Sequence, residues 1–375
     1  MTTNVSSRWI SLHQHAERWI ERLRPYAWLW PPFAFLLGAL SFFLVDRQQS
    51  LGALLAFGLL VAWVLLLSEN LIGRFLARRG STLLPGTVTS FVAQMIHQET
   101  LFFTLPFVLA TTVWSSGQAV FTLVMTGCAL LSILDPLYFR LAQRYRWLYF
   151  IFHAQCVFLV VLVTLPIMLK LTTDQSFQLA VLAATFFSIP SMIHLMQPRS
   201  ILRWLAILGL IAVLAGAAWL SRPWVPPVTL WLTGSALSPS FDGAAREPRG
   251  EIALTTQALE RSGLYAYTAI RAPRGLREKI YHEWRHEGEL IDRIALVIKG
   301  GRDEGYRAWT HKQHFPSDAQ GDWRIDVMTG TGQRIGVLRF RVAKESQNAM
   351  QADGTIRAPG GVPGLDIRRL LPGYQ

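Results

Sequence analysis

Residues 88–113 read VTSFVAQMIHQETLFFTLPFVLATTV. As a helix this stretch is about 39 Å long at 1.5 Å per residue, enough to cross a hydrocarbon core of about 30 Å. Yet His97, Gln98 and Glu99 lie inside it. An ionisable residue in a membrane span is costly and marks a functional place by default. One stretch therefore argues for a bilayer and nominates a first candidate site.

The whole chain agrees. It is 51% hydrophobic and 16% charged, a composition of membrane proteins. Charge is uneven: up to Leu220 there are fourteen Lys/Arg and seven Asp/Glu, and from Ser221 onward twenty-two and seventeen. The first part is expected in the membrane and the second as a soluble domain. The basic excess sits mostly beside expected spans, which argues against nucleic acid as the partner. The two cysteines, Cys128 and Cys156, fall inside hydrophobic stretches and have neither disulfide nor zinc-site spacing.

Working outward from residue 88, the pattern predicts seven spans: 27–45, 51–67, 88–113, 119–134, 147–169, 177–196 and 202–220. Before them, residues 6–24 place Trp9, Leu12, Ala16, Trp19, Ile20 and Leu23 at helical spacing, with Arg8, Glu17, Arg18, Glu21 and Arg22 mostly opposite. That is an amphipathic helix on the cytoplasmic surface, in a segment ending at residue 26. No small-residue cleavage motif follows the first span, so it is expected to stay as an anchor. With the N-terminus inside, the inner segments hold twelve arginines, from Arg8 to Arg203, and the outer ones hold only Arg47, Lys170 and Arg222. This positive-inside bias sends everything after Leu220 outside, in a bacterium the periplasm.

Pro223, Pro226 and Pro227 make a stiff exit, and residues 221–250 are expected to be exit and linker. Residues 251–344 show short alternating strands: 252–257, 264–270, 278–285, 290–298, 306–315, 323–327 and 334–342. Glu287-Gly288 and Gly330-Thr331-Gly332 supply turns. The fold class predicted is a membrane α-helical bundle of seven transmembrane helices followed by an all-β periplasmic sandwich-like domain. Residues 345–375 are Gly/Pro-rich and predict a flexible tail, with a short apolar patch at 365–371.

Several residues carry a resemblance. They are the run His97-Gln98-Glu99-Thr100-Leu101-Phe102-Phe103 with Pro106, and Asp135-Pro136-Leu137-Tyr138. In the soluble part they are Trp284, Gly288, Arg307 to Thr310, Gly321-Asp322-Trp323 and Gly332 to Phe340. With this order of parts the chain resembles a family of uncharacterised bacterial inner-membrane proteins that pair a multi-span region with a C-terminal soluble domain of unknown function. The resemblance covers most of the chain beyond residue 27. It implies an architecture and no activity.

Two sets of residues are candidates for chemistry. His97, Glu99, His153, His194 and Asp135 fall in the cytoplasmic half of the expected bundle or at its edge. Converging, they would bind a transition metal or haem, or relay protons. Apart, they would hold helices together through hydrogen bonds of about 0.6–2 kcal/mol each. On a straight helix His97 and Glu99 diverge by about 200°, so at most one of them faces a site shared with His153. The second set is aromatic. Trp309, Tyr306 and Tyr281 are candidates to stack on an envelope partner or cell-wall glycan, and Trp284 and Trp323 align with the core. His282, His286, His311 and His314 lack the convergence that zinc needs. The Gly-rich turn at 330–332 lies between two strands, so it is a hairpin and not a dinucleotide fingerprint. No nucleophile elbow, phosphate loop or zinc-protease motif is present, and the sequence assigns no cofactor. The function expected is that of a polytopic inner-membrane protein presenting a binding domain. The alternative is a proton-coupled transporter or membrane-embedded enzyme using the His/Glu set.

Overall fold

The computed structural model describes residues 86–250, 254–302 and 304–343, with 24–29 and scattered positions between 32 and 63. The amphipathic helix expected at 6–24, most of the first two expected spans and the tail expected from 345 lie outside the described residues. The described chain is helical first and strand-rich after residue 231.

Six helices follow one another: α1 (Gly86–Thr111), α2 (Gln118–Ile133), α3 (Asp135–Arg144), α4 (Arg146–Leu169), α5 (Thr173–Met196) and α6 (Ile201–Leu220). Three of these, α4 to α6, are each long and apolar enough to cross a membrane, and α2 with α3 meets the test only as a pair bent by 97°. Among the described residues the count is thus three, or four with the bent pair, against seven expected. The difference has physical causes. Polar residues dilute α1, α2 has only 16 residues, and the first two expected spans are largely outside the description.

The second correction is α3. Sequence reading closes the fourth span at Asp135-Pro136 and leaves a loop, but the chain turns sharply at Leu134 and starts a new helix. Proline suits the first turn of a helix, where its missing N–H has no intrahelical partner to lose. Asp135 in that turn and Arg144 in the last one complement the helix dipole.

The described residues cluster into two compact units. The first takes α1 to Pro106, Val124–Thr164 and Ala180–Ala212; the second takes Phe107–Leu123, Leu165–Leu179 and the chain from Val213 onward.

In the second unit all strand pairs named here are antiparallel. One sheet has the order β1-β4-β7, from β1 (Trp231–Ser238), β4 (Leu264–Arg271) and β7 (Tyr306–Lys312). The other has the order β6-β5-β8-β9, from β5 (Arg277–His286), β6 (Glu289–Lys299), β8 (Gly321–Thr329) and β9 (Arg334–Val342). A small hairpin, β2 (Ser240–Asp242) with β3 (Glu247–Arg249), completes the strands. Both sheets feed one hydrophobic cluster that includes Leu232, Leu264, Ile270, Trp284, Trp323, Ile325 and Phe340. Period-two alternation explains this: Ile280, Trp284, Ile325, Val327, Leu338 and Phe340 are buried on one face of their sheet. Glu287 and Gly288, at φ of 48° and 90°, form the β5–β6 turn, and such two-residue turns match the strand twist.

Two expectations about the start of this domain are overturned. The stretch 221–250, expected as exit and linker, contains β1 and the β2–β3 hairpin. Leu232, Ala236 and Leu237 of β1 are buried, so tertiary packing outweighs the poor strand propensity of its Gly and Ser. Of the strand expected at 252–257, residues 252 and 253 lie outside the described residues, and the chain from Thr256 forms a helix instead, α7 (Thr256–Ser262), capped by Thr255 accepting from the Ala258 N–H and ended by Gly263 at φ 66°.

Polar contacts fasten these sheets to the helix ends within the second unit. The Thr173 N–H and hydroxyl donate to the two oxygens of Glu278 at 3.0 and 2.6 Å. Gln118 Nε2 donates to the Arg334 carbonyl at 2.9 Å, and Gln333 Nε2 to the Val225 carbonyl at 3.0 Å. Thr172 and Gln175 cap α5 reciprocally, each side chain bonding the other's backbone N–H. A carboxylate at this helix start also meets the positive end of the dipole.

Candidate functional site

On α1, Gln94, His97 and Gln98 recur at helical spacing and share one face. Gln94 and Gln98 both donate to the Ser132 carbonyl, at 3.2 and 2.7 Å. Ser132 lies in the last turn of α2, where carbonyls lose their intrahelical partners. Gln94 also donates to Asp135 Oδ1 at 2.7 Å. One nitrogen of His97 shares a hydrogen bond of 2.8 Å with the Tyr138 hydroxyl of α3. The polar run of α1 therefore holds the bend between α2 and α3, and the two sequence runs that carried the resemblance are partners in space.

The other His97 nitrogen, Nε2, lies 2.9 Å from His153 Nδ1 of α4. His97 is fully buried, with Phe152 edge-on to its ring and Tyr149 and Trp63 close by. The Trp63 indole N–H donates to Thr100 Oγ1 at 2.7 Å. Tyr138, His97 and His153 thus form an unbroken hydrogen-bonded chain. Each member can both donate and accept, so the chain has two opposite polarities. Chemically it can pass a proton; structurally it joins three helices.

Of the five candidates on or beside the helices, the structure brings His97 and His153 together. Asp135 joins them only through the shared α1 face. Glu99 points about 200° away from His97, is half-buried, and has no partner among the described residues. His194 lies near the end of α5, and its side chain falls outside the description. Among the described residues no three His, Cys, Asp or Glu side chains gather as a metal would require.

The second candidate set separates. Tyr306 packs against the hydrophobic core. Tyr281 lies on the outer face of the four-stranded sheet, under the Arg293 guanidinium at 3.9 Å. Trp309 lies on the outer face of the other sheet, opposite Tyr267 in the register. There it meets rings that sequence reading did not assemble. Phe241, from the β2–β3 hairpin, stacks on Trp309 with centroids 4.1 Å apart and lies 5.9 Å from Tyr265. Tyr265 in turn stacks on His311 at 3.9 Å. All five rings are half-buried. The alternation of Tyr265 and Tyr267 around buried Ala266 was a usable signal; Phe241 was hidden in the supposed linker.

Arg307, two residues before Trp309 on the same strand face, leads into a cavity of about 490 Å³ lined by Arg246, Arg302, Glu304 and Arg307. That size falls within the usual 300–1,000 Å³ of ligand sites. Arg307 is held there by the Ala245 carbonyl, Glu247 and Glu304, at 2.9–3.0 Å.

His282 has a different environment. It is fully buried between the sheets, with its ring nitrogens 3.1 Å from Thr268 Oγ1 and 3.0 Å from Thr310 Oγ1. Burial depresses its pKa to about 3, so it is neutral at ordinary pH. With both nitrogens taken inside the core, it is a structural group.

The chain belongs to the family of unknown function DUF5924, whose model matches residues 9–266. The model of the protein of unknown function DUF2914 matches residues 277–342. The first match ends inside β4 and the second begins at β5, so the strand-rich region is shared between the two. No curated protein and no solved structure matches the chain.

Proposed function

We propose that this DUF5924 member is a non-enzymatic bacterial inner-membrane protein that presents a periplasmic β-sandwich to a cell-wall glycan. The observation that carries the reading is the ring row Phe241, Trp309, Tyr265 and His311, running beside the polar cavity at Arg307. Flat aromatic faces bind the apolar faces of sugar rings, and convergent Arg and Glu side chains orient hydroxyls. The bilayer reading draws support from three helices apolar and long enough to cross it. Its sidedness draws support from charge. Arg140, Arg144 and Arg146 lie between the fourth and fifth expected spans, and Arg199 and Arg203 lie around the start of the seventh, against only Lys170 and Arg222 in the described segments of opposite parity.

Full-length protein in detergent micelles should sediment with purified peptidoglycan. Trp309→Ala should lower the bound fraction about tenfold, the effect of losing one well-stacked ring worth roughly 1–1.5 kcal/mol. Arg307→Ala should act in the same direction. Equal sedimentation of wild type and both variants would sink the reading.

The chain Tyr138–His97–His153 favours a second reading, a proton path through the helical unit. In proteoliposomes with a trapped pH dye, it requires a proton flux that His97→Leu removes. A wild-type protein that leaves the pH gradient intact excludes it.

A further inference from the structure

The face of the four-stranded sheet turned away from the core is strongly basic. In register across β6, β5, β8 and β9, one row reads Arg293, Glu283, Asp326, Val337, and the next brings Arg285, Arg324 and Arg339 together. Glu283 and Asp326 are cross-strand partners, an arrangement of like charges that is destabilising on its own. Arginines surround them. Arg285 Nε and Arg324 Nε each lie 3.2 Å from Asp326 Oδ2, and Arg334 Nε lies 3.4 Å from Oδ1. Arg293 and Arg285 pair with Glu283 at 3.2 and 3.0 Å.

Asp326 is only 1% exposed, whereas the Arg324 side chain is 36% exposed. The buried carboxylate thus gathers three guanidiniums at ion-pair distance, and Arg324 stays partly exposed with Arg339 exposed beside it. Five arginines against two carboxylates leave positive charge in excess. Burial lowers the Arg334 pKa, and the neighbouring Arg324, Arg285 and Arg339 add to that despite Asp326. Arginine forks held at fixed spacing suit the oxygens of phosphate.

The height of this cluster is set by the joint with the helices. The Arg334 carbonyl is bonded by Gln118, the first residue of α2. Asp326 is two strand residues from Met328, the register partner of Arg334, and Arg324 is four, so the cluster begins about 7 Å beyond that row and its Arg324–Arg339 row stands about 13 Å beyond it. The polar layer on each side of a bilayer is itself about 5–7 Å thick, and the long arginine stems reach back toward it.

We propose that this arginine face binds the phosphates of anionic phospholipid headgroups of the same bilayer. The proposal rests on the membrane reading above but not on the glycan site, which lies on the other sheet. The occupant follows from charge complementarity and from the level of the cluster.

The test uses full-length protein in mild detergent, with bound lipid counted by native mass spectrometry after addition of phosphatidylglycerol or phosphatidylcholine. Wild type should retain phosphatidylglycerol. The double variant Arg324→Gln, Arg339→Gln should retain at least about tenfold less, with phosphatidylcholine unchanged. The double Lys variant should fall between, since it keeps the charges and loses the forks. Unchanged tryptophan emission certifies that the variants are folded. Equal phosphatidylglycerol retention in wild type and the Gln variant overturns the proposal. So does release of the lipid from wild type by millimolar inorganic phosphate, which would make this a site for free anions. An alkaline wash of membranes separates the two failures. Protein released by the wash refutes the membrane reading; protein that stays, with no lipid discrimination, refutes only the arginine face.

Discussion

His282 shows how a side chain with functional potential becomes structural. Its position on β5 puts it on the core face, where Thr268 and Thr310 take both nitrogens. Burial depresses its pKa from 6.5 to about 3. The unfolded chain therefore binds more protons than the folded one between those values, so stability rises with pH across that window and is lost as pH falls through it. His282→Leu should lower thermal stability at pH 7 by about 1–3 kcal/mol, because two threonine hydroxyls lose a partner. It should also flatten the acid limb between pH 6.5 and 3, the range of the cited shift. Tryptophan-monitored melts of the full chain at stepped pH measure both effects; an acid limb as steep as in wild type would contradict the assignment. The sequence placed His282 on a strand face but gave no sign that two threonines from the other sheet enclose it.

At the scale of elements, the bend between α2 and α3 accounts for most of the polar run in α1. Gln98 makes the shorter of two bonds to the Ser132 carbonyl, at 2.7 Å. Gln98→Leu should destabilise the helical unit by about 0.6–2 kcal/mol, the usual range for a bond between helices in lipid. Glu99→Gln should cost less, since Glu99 has no partner among the described residues. Detergent-titrated unfolding of the two variants ranks them, and a larger loss for Glu99→Gln would reverse this account. The helical face of α1 was legible from the spacing of Gln94, His97 and Gln98. Its purpose was not, because Asp135-Pro136 serves equally as a stop for one helix and a first turn for the next. For the same reason β1 was missed: its Gly and Ser hide a strand that only burial against β4 and β9 stabilises. The strands from β4 onward were legible, since period two there is uninterrupted.

At the scale of the whole molecule, the joint ties the strand-rich region to three helix ends within the second unit. Glu278 is central to it. Burial raises its pKa above the ordinary 4.5, against the lowering effect of the two Thr173 hydrogen bonds. The folded chain thus binds more protons than the unfolded one just above pH 4.5, and the contribution of Glu278 to stability is lost as pH rises through its folded value. Glu278→Gln should remove that slope, and melts between pH 4 and 8 would expose a slope that persists. The same joint makes a topological demand. Thr173, Gln118 and Val225 all contact the strand-rich region, so the start of α2, the start of α5 and the exit from α6 must lie on one side. On the membrane reading proposed above, Arg140, Arg144, Arg146, Arg199 and Arg203 fall in the segments that the positive-inside rule would keep in the cytoplasm. A C-terminal alkaline phosphatase fusion should therefore be active and a C-terminal green fluorescent protein fusion dark. The reverse pair of results would turn the molecule over. It would leave the joint intact and remove the cell-wall glycan from reach of the ring row at Trp309.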